Sequence, residues 1–193
     1  SGDEYSYLSN SDDPHHPNVL SINGEATEYV RVSQRVRIDQ VCTDRTFLLS
    51  GWGKAVSAAG CETQFAWSRW NDISSDHGKR YFGLIAKCHY TNGDDPYTYT
   101  DYHFMPFNDD YDDWQFASCV IVPDSYYQDV GMCLEYIDVY VVYDNNFNTM
   151  YVDNLSLRQE PCATYSYNVA GNVNAVNATG SASQAVQYVG ETP

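Results

Sequence analysis

The stretch from Tyr140 to Leu157 constrains the fold most, because two alternating runs flank a turn rich in asparagine and aspartate. Its sequence is YVVYDNNFNTMYVDNLSL. Alternation places apolar side chains on one face of a strand, and asparagine tolerates the positive φ that a tight turn requires. The segment therefore predicts a β-hairpin.

Other runs along the chain repeat the same two-residue period and are rich in Val, Ile, Tyr, Phe and Thr, the composition typical of strands. No segment carries a convincing helical stripe of apolar residues, and the loop Ser125–Met132 is the one candidate for a helical turn. Many strands joined by short turns predict an all-β, antiparallel β-sandwich or jelly roll. The predicted strands are Val19–Ile22, Tyr29–Ile38, Thr46–Val56, Tyr81–Tyr90, Tyr97–Phe107, Trp114–Val122, Leu134–Tyr143 and Met150–Leu157.

Three regions divide the chain. Residues 1–18 are polar and interrupted by proline, which predicts an irregular lead-in. Residues 19–162 form the predicted sandwich module, with a long insertion at 57–80 that holds Trp67 and Trp70. Residues 163–193 form a tail rich in Gly, Ala, Asn and Val, which we expect to begin another module.

Charge excludes two classes of partner. The 193 residues carry a formal net charge of −16, and such a surface repels phosphate backbones and anionic lipid headgroups. No apolar run approaches the ~18–20 residues of a membrane span. The sequence also lacks a basic region followed by an apolar stretch at its start, so we expect no signal peptide here. Nucleic acid and membrane insertion are therefore not expected.

The six cysteines lie far apart and include no C-x-x-C pair, which argues against a zinc ribbon or a thioredoxin-like site. An even number of cysteines in an acidic chain favours an oxidising compartment, with up to three disulfides. The alternative is several free, buried thiols, since cysteine behaves as a small hydrophobic residue. The pairing is open for Cys42, Cys61, Cys88, Cys119, Cys133 and Cys162.

Four phrases in a fixed order carry a family resemblance. They are FLLSGWGKA (47–55), FNDDYDDWQFAS (107–118), IDVYVVYDNNFNTMYVDNLSLRQE (137–160) and YSYNVAGNVNAV (165–176). Together they resemble a jelly-roll module of large secreted Rhs/YD-repeat and wall-associated bacterial proteins. That module looks like a carbohydrate-binding module of the galactose-binding-like type. The segments 13–26 and 29–38 also resemble its first strands.

The resemblance implies further properties. Related jelly rolls often hold a structural calcium ion, and Asp153 matches the position of its carboxylate ligand, with Glu25 as a possible second ligand. The alternative is that Asp153 is a solvated acid near a strand end. The phrase Tyr165–Asn172 resembles the start of a YD repeat, although Asn168 stands where that repeat has Asp. A secreted or cell-surface location would follow.

A sugar-binding site needs flat aromatic surfaces flanked by polar groups that fix orientation. Trp67 and Trp70 are candidates because a long polar loop does not require them to be buried. A second set of candidates alternates along one predicted strand face, although tyrosines also pack as ordinary strand residues. Its members are Tyr97, Tyr99, Asp101 and His103. By contrast, we expect Trp52 and Trp114 in the core and the pair His15–His16 in a surface loop.

Catalytic motifs are absent: the sequence has no H-E-x-x-H, G-x-S-x-G, P-loop or G-x-G-x-x-G. The leading hypothesis is therefore a non-catalytic module that binds a polysaccharide or glycan in adhesion. A structural assembly subunit is the alternative, in which the tail self-associates by adding a strand to the sheet of a neighbour. A glycoside-active enzyme is a third hypothesis, since acidic residues are plentiful.

Overall fold

The computed structural model describes residues 6–38, 46–63, 79–92, 99–159, 162–167 and 173–179. Within these ranges the chain forms eleven strands and one short helix. Among the described residues no helix is long and apolar enough to cross a membrane. In chain order the elements are β1 (Ser6–Asn10), β2 (Asn18–Asn23), β3 (Arg31–Arg37), β4 (Phe47–Ala55), β5 (Tyr81–Thr91), β6 (Tyr99–Pro106), β7 (Gln115–Ile121), α1 (Ser125–Asp129), β8 (Cys133–Asp144), β9 (Thr149–Gln159), β10 (Cys162–Tyr167) and β11 (Val173–Thr179).

Two antiparallel sheets form the body of the molecule. Sheet I has the strand order β1-β2-β9-β4-β7, and sheet II has the order β3-β8-β5-β6. Neighbouring strands are mostly not consecutive in the chain, so the chain crosses repeatedly between the two sheets, as in a jelly roll. The predicted antiparallel β-sandwich is confirmed.

The hydrophobic core lies between the sheets, because alternate residues of each strand point inward. Sheet I contributes the buried residues Ile22, Phe47, Leu49, Met150 and Val152. Sheet II contributes Phe82, Leu84, Cys88, Tyr90, Met105, Ile137, Val141 and Tyr143. The two-residue period read from the sequence therefore corresponds to a core shared by both sheets.

All eight predicted strands are present, and α1 lies in the predicted helical turn. The lead-in differs from the prediction, since Ser6–Asn10 forms β1 and pairs with β2. In the tail, β10 and β11 pair with each other in an antiparallel hairpin. Residues 168–172 and 180–193 of the predicted tail lie outside the described residues.

The predicted β-hairpin at Tyr140–Leu157 is wrong in its pairing: β8 pairs with β3 and β5 in sheet II, and β9 pairs with β2 and β4 in sheet I, so the turn between them joins the two sheets. Alternation and turn residues predict two strands and a turn, but they do not determine whether the second strand pairs with the first or joins the facing sheet. Asn145 and Asn148 in this turn have φ of 53° and 66°, which asparagine tolerates better than most residues. The buried Asn146 donates its side-chain N–H to the backbone oxygens of Tyr81 and Asp144, at 3.0 Å each. The turn is therefore tied to the start of β5 as well as to its own strand.

A β-bulge interrupts β9 at Asn154, where φ is 51°. Trp52 pairs with Asp153, whereas Ser50 pairs with Ser156, so β9 has one residue more than β4 over this stretch. An extra residue of this kind bends the strand and increases its twist. Asp153 and Ser156 consequently lie beside outward-facing residues of β4.

Three of the six cysteines, Cys61, Cys88 and Cys119, carry free thiols. Six minus three leaves three cysteines, which is enough for at most one disulfide within the chain. Cys133 is disulfide-bonded, and Cys42 lies outside the described residues. The predicted upper limit of three disulfides is therefore not reached.

The outer face of sheet II carries a buried polar pair within an aromatic surface. Arg35 donates two hydrogen bonds to the carboxylate of Asp138, at 2.8 and 2.9 Å. His89 stacks on Tyr136 with the ring centroids 4.1 Å apart. The His89 Nε2 atom lies 3.0 Å from Asp138 Oδ2. Burial lowers the pKa of His89 to about 4, although the nearby Asp138 acts in the opposite direction.

Candidate functional site

An open pocket of about 430 Å³ lies on the outer face of sheet I. It forms where the turn between β1 and β2 lies over the middle of β9 and β4 and the start of β7. Its size falls within the range of small-molecule binding pockets. Its walls combine two indole rings with carboxylates, imidazoles and an amide: Asp13, His15, His16, Trp52, Asp113, Trp114 and Asn154. We call it the outer-face pocket.

Local hydrogen bonds shape the turn that covers the pocket. The Asp13 side chain accepts a bond from the backbone N–H of His15 at 2.8 Å. The backbone oxygen of Asp13 accepts from the N–H of His16 at 3.0 Å. The N–H of Ser11 donates to the backbone oxygen of Pro17 and closes the loop. Aspartate readily makes such local turns, so the sequence DPHHP sets the positions of both histidines.

His16 lines the pocket and is only 6% exposed. Its ring stacks on Trp114 with centroids 4.0 Å apart and planes inclined by 24°. Trp52 meets the same ring at 5.2 Å. His16 Nδ1 lies 2.8 Å from Asp153 Oδ2, and an ionised carboxylate only accepts hydrogen bonds, so Nδ1 carries the proton. These contacts hold the two indole rings and the imidazole in one arrangement.

An aromatic strip extends from the pocket along β7. Phe116 lies directly opposite Trp52 in the strand pairing, with ring centroids 5.5 Å apart. Phe116 is 56% exposed. Aromatic side chains that remain open to solvent beside a pocket offer flat apolar surfaces for a ligand.

The rim of the pocket is polar and mainly acidic. Lys54 lies 3.0 Å from a carboxylate oxygen of Asp113. The backbone N–H of Trp114, followed by Lys54, lowers the pKa of Asp113 below its ordinary value. Asp113 is therefore ionised at neutral pH and paired with the cation of the rim. Asp13, in the turn between β1 and β2, adds a second carboxylate.

Among the described sugar-site candidates, none lines this pocket. Trp67, Trp70 and Tyr97 lie outside the described residues. Tyr99 is exposed and lies near Tyr127, with ring centroids 5.8 Å apart.

The other two candidates of that strand, Asp101 and His103, are on the inner face of sheet II. Asp101 is 3% exposed, so its carboxylate is not open to a sugar from solvent. The alternation of β6 explains this position. Met105 faces the core, and Asp101 and His103 lie four and two residues before it, so they point in the same direction.

The structure brings Asp153 to His16 and not to Glu25. Asn154 donates its backbone N–H and its side-chain N–H to the Asp153 carboxylate, at 2.7 and 3.1 Å. Glu25 follows the end of β2, where Asn23 pairs with Thr149. Thr149 is four residues from Asp153 along β9, which corresponds to about 13 Å. This spacing separates the two predicted calcium ligands, and calcium binding at Asp153 stays a prediction.

Sequence reasoning placed Trp52 and Trp114 in the core, and the structure places both at the pocket. The pattern of β4 contained the missing signal. Phe47 and Leu49 point inward and alternate with Ser50, Trp52 and Lys54 on the outer face. Glycine occupies the inward positions on each side of Trp52, so the large residue between them points outward. His16 gave no such signal, because its partner Asp153 is 137 positions away.

Comparisons with known proteins support the fold. No protein-family model matches the sequence, and no curated protein matches it. Among solved structures, Family 16 Carbohydrate Binding Module-2 aligns with a TM-score of 0.50 and 16% identity, over 79% of this chain and 85% of the module. At this identity the likeness shows a shared jelly-roll fold.

Two further structures align less closely. One is the enzymatically active domain of tailspike protein 4 from bacteriophage CBA120, with a TM-score of 0.47, 10% identity, and coverage of 80% of this chain and 18% of that one. The other is TmCBM61 in complex with β-1,4-galactotriose, with a TM-score of 0.39, 7% identity, and coverage of 81% of this chain and 83% of that one.

Proposed function

We propose that this chain is a non-catalytic carbohydrate-binding module that binds a glycan in the outer-face pocket. The observation that carries the proposal is the arrangement of Trp52, His16 and Trp114 around an open, polar-rimmed pocket. Sugar rings present C–H groups on their faces and hydroxyls at their edges. An indole surface with carboxylate and amide groups beside it complements both.

The charge of the rim narrows the class of sugar. Asp13 and Asp113 line the pocket, Asp153 lies next to it, and the whole chain carries a net charge of −16. Like charges across an interface disfavour binding. A neutral sugar fits this pocket better than a uronic acid or a sulfated sugar, since its hydroxyls donate hydrogen bonds to carboxylates.

The shape of the pocket supports binding to a chain of sugars. It lies on a strand face and is continuous with Phe116 on β7, so that one sugar residue can contact the indole rings while a second contacts Phe116. The fold is shared with Family 16 Carbohydrate Binding Module-2, whose name describes carbohydrate binding. This shared fold adds support to the chemistry of the pocket.

The wider setting rests on the resemblance to Rhs/YD-repeat proteins. In it, the module belongs to a larger secreted or cell-surface protein and serves adhesion to a polysaccharide. The assembly hypothesis requires the tail to pair with another chain. In the structure β10 pairs with β11 of the same chain, which favours the binding module.

Glycan binding by the isolated chain tests the proposal. We expect a neutral oligosaccharide to be bound in a glycan-array screen and then measured by titration calorimetry. Replacing Trp114 or Trp52 by Ala removes one stacking surface, and we expect affinity to fall about tenfold or more, equivalent to about 1.4 kcal/mol. Tyr126→Ala is the matched control, because Tyr126 is an exposed aromatic residue of α1 outside the pocket.

Unchanged affinity in both tryptophan variants would contradict binding in the outer-face pocket. Release of new reducing ends from a bound polysaccharide would indicate a glycoside-active enzyme instead. A folded chain that binds no glycan and forms concentration-dependent oligomers would support the assembly subunit.

A further inference from the structure

Three potential metal ligands meet inside the sandwich, on the opposite side of sheet II from its aromatic surface. They are the thiol of Cys88, the carboxylate of Asp101 and the imidazole of His103, and their ligand atoms all lie within 4.8 Å of one another. We call them the interior cluster. It is separate from the outer-face pocket, which lies on sheet I.

Strand register explains why the three residues meet. Cys88 of β5 pairs directly with Asp101 of β6. His103 follows Asp101 by two positions, so both side chains point to the same side of the edge strand. Directly opposite His103 is Ala86, whose small side chain leaves room for the imidazole. The cluster is therefore fixed by the backbone of two neighbouring strands.

Two polar atoms of the cluster are buried without a hydrogen-bond partner. They are Asp101 Oδ1 and His103 Nε2. Leaving a buried polar atom unpaired costs about 1–3 kcal/mol, and such atoms in a native fold call for an unseen ion or water. The Asp101 side chain is almost fully enclosed, and one of its oxygens lies within 4.8 Å of the other two candidate ligand atoms.

The other oxygen of Asp101 is held in place. Tyr90 donates its O–H to Asp101 Oδ2 at 3.0 Å, and the Tyr90 oxygen in turn accepts the backbone N–H of Asp124 at 3.0 Å. Metal-binding carboxylates commonly have such supporting hydrogen bonds, which orient the oxygen that binds the metal. Tyr90 thus acts as a positioning residue for Asp101.

We propose that Cys88, Asp101 and His103 form a binding site for a borderline divalent metal ion, of which Zn²⁺ is the representative. Sulfur, nitrogen and oxygen donors suit Zn²⁺, whereas Ca²⁺ and Mg²⁺ prefer oxygen donors alone. Ligands of tetrahedral Zn²⁺ lie about 3.5 Å apart. The present spacing of up to 4.8 Å is closed by small rotations of the three side chains.

Charge balance supports a divalent ion. The thiolate of Cys88 and the carboxylate of Asp101 together carry two negative charges, so a bound Zn²⁺ gives a site without net charge in a buried environment. Binding releases the thiol proton to solvent, and the metal takes its place.

Part of the His103 ring reaches solvent, although its Nε2 atom is buried. The side chain of His103 is 22% exposed, compared with 5% for Asp101. This opening provides an entry path for the ion and leaves the fourth coordination position to water. The metal would then have three protein ligands and one coordination position open to water.

Metal titration of the full chain, after treatment with a chelator, tests the proposal. Co²⁺ serves as the probe, because a cobalt–thiolate bond gives a charge-transfer absorption that nitrogen and oxygen ligands do not give. We expect one Co²⁺ per chain with this absorption, displacement by Zn²⁺, and a higher melting temperature in the presence of Zn²⁺.

Variants identify the ligands. We expect Cys88→Ser to abolish the charge-transfer absorption, and His103→Gln to weaken Co²⁺ binding at least about tenfold. Cys119→Ser is the matched control, since Cys119 is also a free thiol on an inner face and lies outside the cluster. His15→Ala tests whether the histidines of the outer-face pocket bind the ion instead.

Three outcomes would overturn the proposal. They are the absence of a thiolate absorption with Co²⁺, its persistence in Cys88→Ser, and unchanged Co²⁺ affinity in His103→Gln. If Cys88→Ser does not fold, His103→Gln decides the question alone. In any of these cases the cluster is a structural pair of His103 and Asp101, whose atoms lie 3.4 Å apart. Glycan binding does not enter the test, so its failure leaves this result intact.

Discussion

Gly53→Ala places a methyl group against the buried ring of Phe107. Gly53 points inward from β4, and a Cβ atom there would lie closer than 3.0 Å to three ring carbons of Phe107. That ring is packed against Phe82, with centroids 5.0 Å apart. Because the ring is enclosed on both sides, it cannot rotate away, and the strands must separate locally.

The expected cost follows from these contacts. Overpacking a close-packed core costs about 1–3 kcal/mol. Replacing glycine also restricts the unfolded chain and returns about 0.4–1 kcal/mol. The net loss in the free energy of unfolding is therefore about 1–2 kcal/mol. For a domain of this size it lowers the melting temperature by roughly 2–8 °C, measured by circular dichroism with urea unfolding alongside.

Gly51→Ala is the matched control two residues earlier on the same strand. Its Cβ would meet Cδ2 of Leu155, the end of a side chain that is 40% exposed and free to move. We expect a change within about 0.5 kcal/mol. Phe107→Leu should recover part of the loss when combined with Gly53→Ala. Equal losses in the free energy of unfolding for Gly51→Ala and Gly53→Ala would refute the reasoning, because only the Cβ atom at Gly53 meets a confined ring.

Two further predictions concern titration and calcium. Burial gives His89 a folded pKa of about 4, below its ordinary 6.5, so between these values the folded state binds fewer protons than the unfolded state. The free energy of unfolding should therefore fall as the pH drops from 6.5 towards 4, and it should fall less steeply in His89→Gln. Parallel pH profiles of the wild type and His89→Gln would contradict this prediction. The family resemblance predicts that Ca²⁺ raises the melting temperature of the wild type and not of Asp153→Asn. Three N–H donors already meet that carboxylate, and a melting temperature that Ca²⁺ does not change would contradict the calcium prediction.

Strands with a buried face could be predicted from the sequence, because alternation records which side chains face the core. β1 was not predicted, because it does not show this alternation. It lies at the edge of sheet I and, among the described strands, pairs only with β2, and an edge strand needs little of the buried pattern. Its backbone pairing depends on the strand beside it, which local composition does not report.

The outer-face pocket could be predicted only in part. The residue types around Trp52 show that it points outward, and the polar turn at 11–17 indicates an exposed loop. Nothing local connects that turn to β9 and β7. The contacts of His16 with Asp153 and Trp114 join segments that are distant in the chain, and they exist only after the sandwich has formed.

The bulge at Asn154 shifts the phase of β9 between its two halves. Before it, Asp153 faces outward beside the pocket; after it, Leu155 covers Gly51 on the inner side. Even-numbered residues such as Met150 and Val152 face the core before the bulge, Leu157 faces it afterwards, and one extra residue accommodates this change of phase. Deleting Asn154 would leave Leu155 opposite Gly51 in a regular ladder in which the other residues keep their faces, whereas a deletion elsewhere in the strand would exchange the inward and outward roles of the residues beyond it. The bulge is therefore the place where β9 should tolerate the loss of a residue best, because only there does the pattern of core and surface residues survive it.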